Sequence, residues 1–496
     1  MHGSSQIAQN LTISRWFLLQ PRSPTLPLQE LDSVAICRDA ESNLKQYLRQ
    51  RSFGLTAAEA IATQLERVVG TDRVRRWEAL DIGLRANLAA ATAEGVIAVA
   101  YPSTIQALSE LVTLAHRDRF AMLPFGSGSK LSWGGSAKAT IAISTAHLNR
   151  IVEHAVGDLT LTAEAGTTLS NLRALLSPHQ QQLGLDPAYA DIATLGGAIA
   201  TADTGSLRQR YGSVRDMLLG VTFVRHDGQV VKAGGRVVKN VAGYDLMKLL
   251  AGSYGTLGIS AQLTLRVYPQ PEQSRSLLLV GSTAAIAALA RQLRCSSLTP
   301  TAIDLLSASI VKALGHPSAT GLLVQFQSIP SSIDAQIEQV LNWARALKLS
   351  SELASDADET HLWATVRQAL HLDVPASPDE LGTLIACKFG ILPSRAGELV
   401  ARLESLAAAR ARIHASSGIG WLHLDREAIA PDTLRDLRSF CQANGGYLSI
   451  LQAPRSFEQQ LDIWGYAEGS LALMQAIAHR FDPHALLSPN RLFQRD

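Results

Sequence analysis

Four glycine-rich segments, set between short β-branched stretches, dominate residues 125–259 and restrict what this chain can fold into. They are FGSGSKLSWGG (125–135), TLGGAIATADTG (194–205), YGSVRDMLLG (211–220) and GGRVVKNVAGYDLMKLLAGSYGTLGI (234–259). In the first, glycines let successive N–H groups converge on one point and form a concavity for a phosphate. The G-x-x-x-x-G-K-[ST] and G-x-G-x-x-G spacings are both absent, so a plain strand-to-loop turn and a phosphate loop stay open alternatives. In the second, Gly196 and Gly197 beside Ala198, Ala200 and Ala202 allow either a flat ligand to approach the backbone or a small-residue helix to pack on a sheet. In the third, Arg215 and Asp216 form either a surface pair worth about 0–1 kcal/mol or a carboxylate fixing a guanidinium near a cofactor. The fourth sets Lys239, Asn240, Tyr244 and Asp245 among glycines, with Gly252, Gly255 and Gly258 at three-residue spacing. Four such segments in one region exceed what turns require and together indicate a large, flat, phosphorylated ligand.

The surrounding pattern is α/β. Helical periodicity runs from about residue 39 to 91, a strand is expected at 96–100, and a helix over 104–116 has Ser103 as its expected N-cap. A second strand at 121–124 leads into the first glycine segment, and Asp227-Gly228 between apolar runs signals a hairpin. Composition shifts at PQPEQ (269–273), after which helical and strand-like patterns alternate. The expected division is a helical extension (1–91), a glycine-rich domain (92–271), an α+β cap (272–445) and a C-terminal segment (446–496) returning to the glycine-rich domain.

Composition excludes several classes. With 496 residues, two or three domains are expected at roughly 100–200 residues each. A formal charge of +2 leaves no basic excess for nucleic acid as the main partner. Cys37, Cys295, Cys387 and Cys441 include no C-x-x-C pair, so neither a zinc ribbon nor an iron–sulfur cluster is expected on this chain. No metal site is expected. The first residues lack a basic n-region and a long apolar core, and no stretch reads as a membrane span, so a soluble chain in a reducing compartment is expected.

With these segments in place, residues 92–271 resemble the FAD-binding fold of the vanillyl-alcohol oxidase/p-cresol methylhydroxylase (PCMH) superfamily, and more closely the GlcE-type glycolate oxidase subunits. PFGSGSKLSWGG, ATLGGAIATADTG, YGSVRDMLLGVTFV and VVKNVAGYDLMKLLAGSYGTLGI carry the resemblance, and FDPHALLSPNRLF looks like the family's closing motif with Asn490 in place of its usual glycine. The resemblance implies an α+β, two-subdomain FAD-binding fold with an α+β cap. It further implies that Phe125, Gly126, Ser127, Gly128, Ser129 and Lys130 cradle the FAD pyrophosphate. Thr194, Leu195, Gly196, Gly197, Ala198 and Thr201 would line the isoalloxazine and ribityl side. Tyr211, Gly212, Arg215 and Asp216 would complete the pocket with Gly258 and Ile259, the last two near the adenine. No histidine occurs in 125–135, so FAD is expected to be noncovalent.

The related 2-hydroxyacid dehydrogenases carry an H-x-H metal element and an S-x-E-H-G segment in their C-terminal half, and this chain has neither. His414 and His423 read as two strand or loop histidines, and GGYLSILQAP stands where a catalytic histidine is expected. No general base is nominated. Arg236 and Lys239 are candidate cations for a substrate carboxylate, with surface charge as the default for both. The resemblance thus implies an oxidoreductase subunit taking part in oxidation of a 2-hydroxyacid to a 2-oxoacid. A related FAD-binding catalytic subunit and an iron–sulfur subunit are the implied partners, in the cytoplasm and peripheral to a membrane through them. A stand-alone FAD oxidase or dehydrogenase of another small alcohol, and a non-catalytic assembly subunit, are the alternatives.

Overall fold

Alternation along the strand Ala302–Leu306 sets out the plan of the larger half of the molecule. Ile303 and Leu305 enter one core with Leu277, Leu279, Leu322 and Val324, while Ala302 and Leu306 enter another with Trp133 and Ala188. Successive side chains on a strand point to opposite faces, so this sheet is covered on both sides. The computed structural model describes residues 55–92, 94–236, 244–370, 384–406, 408–454, 457 and 460–493.

The cap is an eight-stranded antiparallel sheet. Its strands run in the order Ser350–Ser355, Gln273–Gly281, Thr320–Ser328, Ala302–Leu306, Arg410–His414, Ile419–Asp425, Leu384–Gly390 and Tyr447–Gln452. Helices Thr283–Arg294, Pro330–Ala346, Ala396–Glu404 and Pro431–Ala443 cover one face with amphipathic stripes such as Ile286, Leu289 and Leu293. Each fully buried leucine of this kind contributes about 1.5–3 kcal/mol. The opposite face is covered partly by the helices Ala308–Ala313 and Asp356–Leu370 and partly by Trp133 and Ala188 of the glycine-rich domain.

That domain has two sheets. The first orders Val74–Arg76, Ala98–Ala100, Ile141–Ser144 and Met122–Phe125, with the last three strands parallel. The second is antiparallel and orders Ile151–Ala155, Thr160–Glu164, Ile259–Arg266, Leu218–Val224 and Val230–Gly234. The expected hairpin joins its last two strands through Gly228 at φ +87°, where Ser109 of the helix Ile105–Arg117 donates to the glycine carbonyl at 2.6 Å. A side chain at 228 would strike Thr113 of that helix, so the turn needs glycine twice over.

Several expectations shift. Thr104, not Ser103, caps the helix Ile105–Arg117, because its extended backbone lets its hydroxyl accept from Ala107 N at 3.0 Å. The described part of the N-terminal extension is integral to the glycine-rich domain. Ile61, Leu65 and Val69 pack against Leu108, Leu111 and Val112, and Val74–Arg76 pairs with Ala98–Ala100. The expected boundary at 445 falls short of the cap's last strand, Tyr447–Gln452, which pairs with Leu384–Gly390. The tail beyond it does return. Met122 N donates to Leu486 O at 2.6 Å, and Ser488 N donates to Met122 O at 2.8 Å.

Candidate functional site

The strand Met122–Phe125 ends where the first glycine segment begins, and the chain there opens onto a cleft of about 800 Å³ measured out to its mouth. Phe125, Gly126, Ser127, Gly128, Ser129 and Lys130 form one wall. Among the described residues, the amides of Ser127, Gly128, Ser129 and Lys130 donate no hydrogen bond to protein. Successive unpaired N–H groups on a concave wall are an anion-binding arrangement.

The facing wall comes from the helix Leu195–Ala200. Thr194 caps it, its hydroxyl accepting from Gly197 N at 3.2 Å, and a Cβ on Gly126 would strike that same Thr194 side chain. The two walls therefore meet at a separation only glycine permits. Gly196, Gly197 and Thr201 line the cleft, as do Gly258 and Ile259 from the far end of the fourth segment. Leu195 and Ala198 lie on the same helix but are fully buried behind this surface.

Tyr211, Gly212, Arg215 and Asp216 do not line the cleft, which corrects the sequence reading. The Tyr211 ring sits 4.6 Å from Tyr268, and its hydroxyl accepts from Gln182 Nε2 at 3.0 Å. Gly212, at φ +82°, ends a short helix, Arg215 is exposed, and Asp216 closes a capping box with Ser213. The Ser213 hydroxyl on Asp216 holds that carboxyl below its ordinary range. A start-of-helix signal, S-x-x-D, accounts for this segment without a ligand.

Of the two nominated cations, Arg236 is exposed and paired with Glu153 beyond an edge strand, and Lys239 lies outside the described residues. The structure places one other lysine on the cleft lining and a second just beyond it. Lys130, on the first wall, pairs with buried Asp203 at 2.9 Å, and Asp203 also accepts from Ala188 N at 2.9 Å. Lys388, from the cap, donates to Ala202 O at 3.1 Å, one residue beyond Thr201. Burial pushes the Lys388 ammonium down and Asp203 pulls it back up, while Arg208 and Lys130 add to the lowering. The two lysines lie 5.4 Å from the Trp133 ring and 5.8 Å from the Trp421 ring, and those rings are 5.1 Å apart. One carboxylate thus serves two ammonium groups where the cap meets the cleft.

Sequence reasoning also missed Ser253, Tyr254, Gly255 and Arg491, all of which line the cleft. The three-residue glycine spacing signalled the first three, since a Cβ on Gly255 would come within 2.6 Å of Pro124. Arg491 lies inside the closing motif FDPHALLSPNRLF, but its partners had no local signal, because they lie hundreds of residues away. Its guanidinium donates to Leu131 O, and to Gly135 O at 3.0 Å, bracing the first loop from behind. His414 and His423 are both strand residues, and no set of three metal-ligating side chains is grouped among the described residues.

The cleft's unpaired amides suit a pyrophosphate. A Cβ on Gly197 would meet only the Thr194 hydroxyl, at 3.0 Å, and otherwise project into the open cleft, so the wall is left bare for a flat ring. The FAD binding domain family matches residues 96–234. This segment is an FAD binding domain. Over 173 residues the chain is 38% identical to the glycolate oxidase subunit GlcE of Escherichia coli (strain K12), covering 35% of this chain and 49% of that one. The chain thus spans about half the length of that relative. It is 26% identical over 433 residues to a D-2-hydroxyglutarate dehydrogenase of Xanthomonas citri pv. viticola, covering 80% of this chain and 89% of the relative. The substrate-bound structure of p-cresol methylhydroxylase superposes with a TM-score of 0.67 at 14% identity, covering 88% of this chain and 96% of that one. The fold is therefore the PCMH-type FAD-binding fold with its cap, and the walls described above belong to the FAD binding domain or close over it.

Proposed function

We propose that this chain is the FAD-binding subunit of a glycolate oxidase-like complex that oxidises a 2-hydroxyacid to the 2-oxoacid. The observation that carries the reading is the junction of the bare glycine-walled cleft with the half-buried Lys388, a cation presented by the cap at Ala202. The relatives' names support the substrate class, since glycolate and D-2-hydroxyglutarate are both 2-hydroxyacids.

In this reading the amides of residues 127–130 face the pyrophosphate, Gly197 gives the ring room, and Gly258 and Ile259 flank the adenine side. FAD, held noncovalently, supplies the two-electron acceptor. The protein supplies orientation and charge: Lys130 is locked by Asp203, which leaves Lys388 to meet a carboxylate. A related FAD-binding catalytic subunit and an iron–sulfur subunit complete the complex, the latter carrying electrons onward. It works in the cytoplasm, at a membrane only through those partners.

Purification from the native host tests the whole reading. A yellow protein whose FAD is released by acid precipitation, bleached anaerobically by glycolate or D-lactate and accompanied by a flavoprotein and an iron–sulfur subunit, is expected. A colourless protein that takes up no FAD on reconstitution would overturn it.

A further inference from the structure

The cap helix Asp356–Leu370 uses two neighbouring stripes in different ways. Trp363, Val366 and Leu370, at helical spacing, enter the core beside Trp133, while Ala364, Arg367 and Gln368 line a second cavity. This cavity measures about 1740 Å³ out to its mouth and shares no lining residue with the glycine-walled cleft. Its other walls come from the FAD binding domain. Arg173 of the helix Leu169–Leu176, with Asp186 and Asp191 of the loop after the strand Gln181–Gln182, supplies the remaining charges of the lining.

These charges are not matched pair by pair. Asp186 accepts from two main-chain amides, Ser206 N at 2.8 Å and Leu207 N at 3.1 Å. Asp191 is exposed and meets Arg173 at 3.4 Å. Arg367 is half-buried and has no hydrogen bond or ion pair among the described residues. Burial pushes its guanidinium down, Arg173 and Arg412 add to the lowering, and Asp186 and Asp191 pull it back up. Arg412 approaches from the cap strand Arg410–His414, on the face opposite to Ala411 and Ile413 of the cap core. It is 3% exposed, and its Nε has no hydrogen-bond partner. Arginine stays ionised across the working pH range, so two guanidiniums near Asp186 lack a carboxylate within ion-pair distance among the described residues. A buried charge is costly unless paired, and the partner these two lack is an anion.

We propose that this second cavity is a binding site for an organic monocarboxylate, held by Arg367 with Arg412 adding positive charge from behind. The planar fork of a guanidinium matches the two oxygens of a carboxylate. Asp186 and Asp191 on the same lining repel a dianion such as phosphate and so favour an acid with a single negative charge. Because Arg367 belongs to the cap and Asp186 to the FAD binding domain, a bound acid ties the two units together at a place apart from the glycine-walled cleft. The inference stands independently of the 2-hydroxyacid reading.

The test is calorimetric titration of the full-length, FAD-loaded chain with pyruvate and with inorganic phosphate, alongside thermal midpoints and flavin spectra. Wild type is expected to bind pyruvate, less tightly as salt is raised, and to gain in thermal midpoint when it does. Phosphate is expected to bind more weakly. Arg367→Leu should lose at least about tenfold in pyruvate affinity together with the ligand-induced gain. Its ligand-free midpoint should lie above that of wild type, since a charge without a partner has been removed. Arg367→Lys, which keeps the charge and loses the fork, should retain part of the affinity. FAD content and the response of the flavin bands to pyruvate should be the same in all three proteins, which separates this site from one beside the ring. A wild type that binds no pyruvate, or an Arg367→Leu protein that binds it as tightly, overturns the proposal. A variant that loses the flavin response along with the binding heat overturns the claim of a second site, and tighter binding of phosphate than of pyruvate overturns the ligand class.

Discussion

Gly196 and Gly197 are neighbours in sequence with different reasons for lacking a side chain. A Cβ on Gly196 would come within 2.8 Å of the Ala165 Cβ and 3.0 Å of its carbonyl oxygen, so its bareness serves packing inside the domain. Gly197 faces the cleft. Gly196→Val should therefore destabilise the fold by about 1–3 kcal/mol through overpacking, seen as a lower urea midpoint of the apoprotein. Gly197→Val should leave that midpoint nearly unchanged and weaken FAD binding at least about tenfold, about 1.4 kcal/mol, by fluorescence titration. Spacing marked both glycines, and both line the cleft, but spacing alone does not tell that Gly196 also presses on Ala165. Cysteines divide in the same way. Burial pushes the Cys387 thiol up to about 12 and the Cys441 thiol up to about 11, whereas Cys295 is exposed. Iodoacetamide at pH 8 should label Cys295 and spare Cys387 and Cys441 in the native protein, read by peptide mass mapping.

At the scale of elements, what was legible depended on how local its cause was. The hairpin at Asp227-Gly228 and the helix Ile105–Arg117 follow from turn chemistry and apolar spacing within a dozen residues. The first and second glycine segments meet in the cleft as the resemblance implied, because their bareness is written into the residues themselves. The third segment, with its capping box at Ser213 and Asp216, was misread because a helix start and a cofactor contact use the same polar residues. The cap's last strand was assigned to the tail, since its pairing with Leu384–Gly390 is a long-range choice that periodicity does not encode. The tail's grip on the first loop is of the same kind. Replacing Arg491 by Met leaves the buried carbonyl of Leu131 and the part-buried carbonyl of Gly135 without their charged donor, a loss of about 1.5–3 kcal/mol for the buried bond and less for the other. Arg491→Met should lower the thermal midpoint and shed FAD during gel filtration, with the flavin eluting apart from the protein.

Across the whole molecule, the cap and the FAD binding domain meet through a polar seam flanked by rings. Lys388 to Ala202 and Ser206 to Asp304 cross between the two units, and Trp133 packs on Trp421 beside them. Acid should destabilise this protein through its buried cap histidine. Burial, with Arg410 and Arg412 nearby, pushes His423 from its ordinary value near 6.5 to about 3. The unfolded chain therefore takes up a proton below about pH 6.5 that the folded chain refuses until about pH 3, so this contribution is fully present above pH 6.5 and is lost as pH falls through that window. Urea midpoints at pH 7, 5.5 and 4.5 should fall in that order, and His423→Gln should flatten the decline. A slope identical in the variant would assign acid sensitivity to other groups.

The brace that Arg491 places behind residues 131–135 also bears on when during its manufacture the protein can take up flavin. A ribosome delivers the loop at 125–130 first and the arginine that steadies it only after more than 350 further peptide bonds have been made. Until residue 491 has cleared the exit tunnel, the emerging polypeptide has half a grip, so vitamin supply should govern how much finished protein is charged and not how fast it is synthesised.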